Sequence, residues 1–237
     1  MGHSGNRGTE ISAPYYLNLA PHYDDTFTPE YMSKRGLQLQ NEFRYLTTRS
    51  HGTLQFEGMK NDKLANGDDR AAGTYQHIHA FNSLWSGNVD VRGVSDKNYF
   101  NDFRDDLGLT SQTHLPQNAQ VGYHGPQWNF SARAADYQTI DRDIAPVDRP
   151  YARLPQLNLS LNRPVEPNRL NYSFESELVS FERDASLNGE RLNLGPSVSL
   201  PLSNSYAFLT PRIGLRHISY RLSGVSENPP ALTRGVF

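Results

Sequence analysis

The sequence predicts an all-β fold, an antiparallel meander of about twelve long strands, and three observations predict it. Apolar and polar side chains alternate with a period of two, the alternating runs last about ten residues, and Gly, Pro, Asn and Asp cluster between them. The runs recur at a mean spacing near ~20 residues, a strand plus a turn. Strands of this length exceed the ~5–6 residues usual in a soluble sandwich. They suit a tilted bilayer crossing, so the meander is expected to form part of a large outer-membrane β-barrel.

The elements follow in order. From Gly36 the chain reads GLQLQNEFRYL. Leu37, Leu39, Phe43 and Tyr45 fall on one face and Gln38, Gln40, Glu42 and Arg44 on the other; only Asn41 breaks the apolar row. A helix would scatter these residues around its circumference, so this is a strand. Leu54 and Phe56 oppose Gln55 and Glu57, and Val89 and Val91 alternate with Asn88, Asp90 and Arg92. Trp128, Phe130, Ala132 and Ala134 oppose Asn129, Ser131 and Arg133; Leu157, Leu159 and Leu161 oppose Asn158, Ser160 and Asn162. Leu170, Tyr172, Phe174 and Leu178 oppose Asn171, Ser173, Glu175 and Glu177. Leu192, Leu194, Val198, Leu200 and Leu202 share a face, and Leu209, Ile213 and Leu215 share a last strand with Arg212 and Arg216 opposite. Turns are expected at Asn66–Asp69, Pro116–Asn118, Pro164–Asn168, Asn188–Glu190 and Ser203–Ser205. Longer connections are expected at Ser95–Leu115 and Thr139–Leu154, and Asn98–Leu109 reads as either a short helix or a strand end.

Composition narrows the class. Hydrophobic residues make up 36% of the 237 residues, and mean hydropathy is −0.67. No apolar run approaches the ~18 residues of a spanning helix. A barrel strand shows lipid only every second side chain, so low hydropathy is compatible with it. Net charge is −2 with no basic block, which gives no argument for nucleic acid. Cysteine is absent, so disulfides and thiolate metal sites are ruled out. The 13 tyrosines and 11 phenylalanines suit a membrane boundary, although a sandwich core could use them too. Met1–Gly8 (MGHSGNRG) has no apolar segment of a signal peptide, and Pro229–Phe237 ends as though a strand were beginning. Residues 1–237 are therefore expected to be one partial barrel domain, a fragment of a longer precursor.

Three segments then arrive in a recognisable order. Ala13–Pro21 (APYYLNLAP) is followed by Tyr23–Tyr31 (YDDTFTPEY) and Met32–Leu46 (MSKRGLQLQNEFRYL). Together they resemble the beginning of the barrel in the LptD family, outer-membrane translocons for lipopolysaccharide; Tyr151–Leu157 (YARLPQL) is also similar. The resemblance is strongest over residues 9–46 and looser beyond. It implies a non-enzymatic protein of the Gram-negative cell outer membrane, without a cofactor. In that family a periplasmic jellyroll precedes a barrel plugged by the lipoprotein LptE. Lipopolysaccharide arrives along a jellyroll bridge that includes LptA and leaves sideways into outer-membrane lipid, between the first and last strands. The resemblance further implies that Pro14 and Pro29 weaken this lateral gate. Read from the residues alone, Pro14 begins a strand and Pro29 ends one beside a turn at Pro29–Ser33. The jellyroll, signal peptide and last strands of the family are missing from these 237 residues.

Other constellations are weaker. His77 and His79 place two imidazoles on one strand face, a spacing open to zinc but without a third ligand, so an interfacial face is expected. Asp105 with Asp106, and Asp141 with Asp143, read as solvated loop charges rather than a calcium site. Glu175 and Glu177 read as part of a lumen wall rather than a glycosidase pair. No G-x-S-x-G, G-x-G-x-x-G or Walker motif occurs. Two readings compete with a lipopolysaccharide translocon: a soluble β-sandwich binding carbohydrate or protein, and an unrelated outer-membrane channel. Alternation alone does not separate them, since each architecture buries one strand face and hydrates the other.

Overall fold

A computed structural model describes residues 2–103, 112–161 and 168–224, and the backbone of 232–236. The strands are β1 (Gly2–Ser4), β2 (Gly8–Ser12), β3 (Tyr15–Ala20), β4 (Tyr23–Met32), β5 (Gly36–Leu46), β6 (Ser50–Asp62), β7 (Asp68–Ala80) and β8 (Trp85–Val94). A short helix, α1 (Tyr99–Phe103), precedes β9 (His114–His124), β10 (Trp128–Thr139), β11 (Ala152–Leu161), β12 (Asn171–Glu182) and β13 (Asn188–Ser199). Then come β14 (Leu202–Ser203), β15 (Phe208–Leu209), β16 (Arg212–Gly214), β17 (Arg216–Ser223) and β18 (Leu232–Val236). Sixteen strands form one sheet whose hydrogen-bonded order follows the chain from β4 to β13. Pairings from β1 to β7 and from β10 to β18 are antiparallel. The meander is as expected, and β4 to β13 with β17 are its eleven strands of eight residues or more. Among the described residues no helix is long and apolar enough to cross a membrane, which says nothing of a crossing by strands.

Several expected boundaries move. Pro116–Asn118 lies inside β9 and Asn188–Glu190 opens β13, the turn before it falling at residues 183–187. Pro29 does not open the turn: it sits within β4, opposite Leu39 of β5, and the turn follows at residues 33–35. Leu209, Ile213 and Leu215 do not share one strand. Pro211 and Leu215 interrupt the run, and β15 pairs with β14 in a separate two-stranded ribbon. Proline lacks the donor needed to carry a ladder through. The turn at Asn66–Asp69 is real, with Asn66 and Gly67 both at positive φ (56° and 84°) before β7 begins at Asp68. Of the stretch Asn98–Leu109, Tyr99–Phe103 is helical; Asp105, Asp106 and most of Pro164–Asn168 lie outside the described residues. Pro155, within the YARLPQL stretch, follows a cis peptide bond at a register shift of β11.

The chain divides into two compact units. Unit 1 comprises residues 1–80, 88–119 and 137–145; unit 2 comprises residues 81–87, 120–136 and 146–237. Register fixes the faces of unit 1. Gln38 stands opposite Met59, Gln40 opposite Glu57 and Glu57 opposite Ala72, while Leu39 meets Gly58 and Phe43 meets Leu54. The polar row is therefore continuous from strand to strand, and so is the apolar row. The buried cluster of Met32, Met59, Val94, Tyr99, Phe103, Leu115 and Ile140 forms where α1 packs on the polar face.

Candidate functional site

Which face is buried decides what unit 1 can do. In a soluble sandwich the apolar row packs inward and the polar row meets water. Here Gln38 is 2% and Glu57 9% exposed, whereas Leu39 is 41% and Phe56 52% exposed. Tyr31, Leu37 and Leu54 on the same apolar face are exposed as well. Beneath α1 the polar groups are buried while the apolar side chains on the opposite face are exposed, which inverts the soluble pattern there; farther along the polar face Arg44 and Gln55 are exposed.

The polar face is closed at one end by α1 and a network of ions. Asp62, at the end of β6, accepts from Arg35 Nη1 at 2.7 Å and from Arg70 Nη1 at 3.2 Å. Asp102 of α1 receives Arg35 Nη2 at 2.9 Å and Arg70 Nη1 at 3.0 Å, and Asp96 receives Arg70 through Nε (2.5 Å) and Nη2 (2.9 Å). Both guanidinium groups stand 5.0 Å from the centroid of the Phe103 ring. Each buried guanidinium thus meets opposite charge and an aromatic face, which offsets its desolvation. Tyr99 extends the network: Gln38 Nε2 donates to its hydroxyl at 3.0 Å, and the hydroxyl donates to Glu57 Oε2 at 2.9 Å. Burial holds the Tyr99 phenol well above its ordinary pKa, against the opposing pull of Gln38 and Arg70. Beside α1 a cavity of about 570 Å³ is lined by Thr26, Thr28, Gln40, Gln55, Thr74 and Gln76 among others.

The two gate candidates are brought together in the first strands, with their missing donors on different sides. Ser12 pairs with Glu30 and Tyr15 with Phe27, so Ala13 faces Pro29 and Pro14 faces Thr28. The Ala13 amide donates to the Pro29 carbonyl at 3.1 Å. In a paired antiparallel site the return bond would run from residue 29 to the carbonyl of residue 13. Proline has no such hydrogen, so the ladder lacks that bond. Pro14 occupies the alternate position, and its nitrogen points away from β4, to the side of β3 that no described strand pairs. β2 stops at Ser12 and β3 begins at Tyr15, leaving Ala13 and Pro14 as the break.

His77 and His79 lie on the apolar face among aromatic rings. Tyr75 and His77 stack at 5.9 Å with 9° between planes, and His77 and His79 at 6.0 Å with 20°. Tyr45 Oη meets His77 Nδ1, and Ser50 Oγ meets His79 Nδ1 at 2.6 Å. Tyr23, Phe43 and Tyr45 extend the same cluster, which resembles an interfacial belt more than a metal site. No group of three His, Asp or Glu fit to hold a metal occurs among the described residues. Asp141 Oδ1 accepts from the Asp143 amide at 2.9 Å, a local turn contact.

In unit 2 the polar row again forms its own network. Glu177 accepts from Gln156 Nε2 at 2.7 Å and Arg191 Nη2 at 2.5 Å, and Asn158 donates to Ser131 Oγ at 3.2 Å. Glu177 is thereby tied to a guanidinium and an amide, and it lines a separate cavity of unit 2 with Glu175, Ser160 and Asn193. Sequence reasoning missed the Arg35–Asp62–Arg70–Asp102 network. Its members sit at strand ends and in a connection, where no periodicity marks them.

Comparison with known proteins agrees with this geometry. Residues 68–233 match the family model LptD, described as LPS transport system D. An LPS-assembly protein LptD of Nitrosococcus oceani is 41% identical over 231 residues, covering 97% of this chain and 31% of that protein. Its counterpart from Azoarcus sp. (strain BH72) is 35% identical over 244 residues, covering 100% and 30%. That of Chromobacterium violaceum is 37% identical over 230 residues, covering 95% and 29%. The chain thus spans about three-tenths of the length of these relatives. With the family model matched over more than half its residues, the chain belongs to the LptD family.

Proposed function

We propose that this chain is a partial barrel domain of an outer-membrane translocon that assembles lipopolysaccharide at the surface of a Gram-negative cell. The observation that carries this reading is the inverted sheet of unit 1: apolar side chains outward, ion pairs and amides buried on the other face. A lipid bilayer is the solvent in which that arrangement is stable, since a lipid-facing row need not be covered by protein. The same observation argues against the soluble sandwich, and family membership argues against an unrelated channel. Transport rather than catalysis is the activity proposed. LptE as the plug against the polar rows, and LptA as the bridge protein feeding a jellyroll, are the partners that the reading carries.

Pro14 and Pro29 are proposed as the lateral gate. Each removes one possible ladder donor, worth roughly 0.5–1.5 kcal/mol net where a partner accepts it: Pro29 from β4 toward Ala13, and Pro14 on the opposite side of β3. A strand weakened on both sides parts from its neighbours at lower cost while the remaining ladder holds. The test is made in the full-length parent protein. Pro14→Val with Pro29→Val should lower the lipopolysaccharide reaching the cell surface while the folded protein remains in the membrane fraction. An unchanged surface level would reject the gate. Recovery of the wild-type parent in the aqueous fraction without detergent would reject the membrane reading itself.

A further inference from the structure

One polar pair interrupts the exposed apolar face beside the seam. Asp25 of β4 stands opposite Leu17 of β3 and Phe43 of β5, and Asn41 of β5 stands opposite Phe27. All lie on the apolar face with Tyr23, Leu39 and Tyr45; the adjacent Asp24 is on the other face, paired with Arg44 at 2.9 Å. Asn41 Nδ2 donates to Asp25 Oδ1 at 2.6 Å, the one hydrogen bond described for the Asp25 side chain. An ionised carboxylate accepts at about four sites, so most of its capacity is open. Asp25 lies one outward position from the aromatic ring of Tyr23, about 7 Å along the strand, and so beside the aromatic belt. A carboxylate there is costly in lipid and marks a site that does something.

We infer that Asp25 and Asn41 form a docking point for the hydroxyl and amide N–H donors of an acylated sugar amphiphile as it leaves the seam. The inference rests on the proposed lipopolysaccharide reading and names the chemistry met at its exit. The pair is rich in acceptors, faces lipid and adjoins β3, the strand that follows Pro14. Sugar hydroxyls and acyl-amide hydrogens at a head-group boundary are the donors that meet it at that depth.

The experiment uses the full-length protein with a photo-crosslinking residue at Leu17 or, as a seam control, at Tyr15. Adducts with lipopolysaccharide are measured in Asp25→Leu and Asp25→Asn backgrounds. Loss of one charge-assisted hydrogen bond predicts about a tenfold fall in the Leu17 adduct for Asp25→Leu, equivalent to about 1.4 kcal/mol. Asp25→Asn, which keeps an acceptor, should fall less and guards against a leucine variant that fails to fold. Leu17 adducts unchanged in both variants, with Tyr15 adducts retained, would overturn the docking point alone. Absence of any adduct at either position in the wild-type protein would instead overturn the underlying lipopolysaccharide reading.

Discussion

The corner of unit 1 beneath α1 and the seam between its first strands are built in opposite ways. At the corner, Asp62 and Asp102 are each shared by Arg35 and Arg70, Asp96 clamps Arg70 twice, and Tyr99 joins Gln38 to Glu57. At the seam, Ala13 and Pro29 make one bond where two would form, and strand assignment lapses at residues 13 and 14. Both regions belong to one sheet, and β4 runs from one to the other. The comparison teaches where the sheet is tied by many bonds and where it lacks one. Under the proposed gate, the strand that separates has a neighbour that does not, and the corner supplies it through the end of β6 and the start of β7.

The comparison breaks most visibly at Asp62. Its side chain is 0% exposed and accepts from two guanidinium groups, so Asp62→Ala leaves two buried cations short of a counter-charge. Breaking a buried pair in this way costs about 3–5 kcal/mol. Urea unfolding of the detergent-solubilised full-length protein should show a loss of that size; a change below about 1 kcal/mol would mean that the corner is not rigid. Tyr99→Phe tests the same corner more gently. Removing the hydroxyl takes one acceptor from Gln38 Nε2 and one donor from Glu57 Oε2 and should cost about 1–3 kcal/mol.

Tyr99 also gives the corner a pH signature. Its folded pKa is raised by burial, so the native state holds this proton more tightly than the unfolded chain does. The contribution is fully present below pH ~10, the ordinary tyrosine value, and is lost as pH rises beyond it. Stability measured from pH 8 to 11 should fall more steeply in the wild type than in Tyr99→Phe. Parallel curves would place the phenol in water.

How much of this was legible in the sequence follows from where each feature lies. The two faces were readable because Leu37 to Tyr45 and Gln38 to Arg44 obey the period of a pleated strand. Alternation alone did not say which face would be buried, since it is the same for a sandwich and for a barrel; the length of the strands pointed to the barrel. Pro29 looked like a strand end because proline lacks a donor. It lies mid-strand because that missing donor falls where β4 meets the Ala13–Pro14 break rather than toward β5. Pro116 was misjudged in the same way, and Asn188–Glu190 drew a turn that the chain makes at residues 183–187. The ion network was invisible, since Arg35, Asp62, Arg70 and Asp102 are far apart in sequence and only register and α1 bring them together.

The smallest effect sharpens the seam itself. Pro29→Val restores an amide facing the Ala13 carbonyl, so the β3–β4 side of the ladder gains one bond, worth about 0.5–1.5 kcal/mol. Pro14→Val adds its donor on the other side of β3, where no described strand accepts it. The two prolines therefore have separable effects. In hydrogen exchange on the full-length protein, Pro29→Val should slow the Ala13 amide by about threefold to tenfold, the exchange equivalent of that energy. Pro14→Val should leave the Ala13 amide unchanged and protect its own new amide only if a further strand pairs there. Equal protection of Ala13 in both variants would show that the two prolines share one side of the ribbon, and the seam would then be weakened along a single ladder rather than on both flanks.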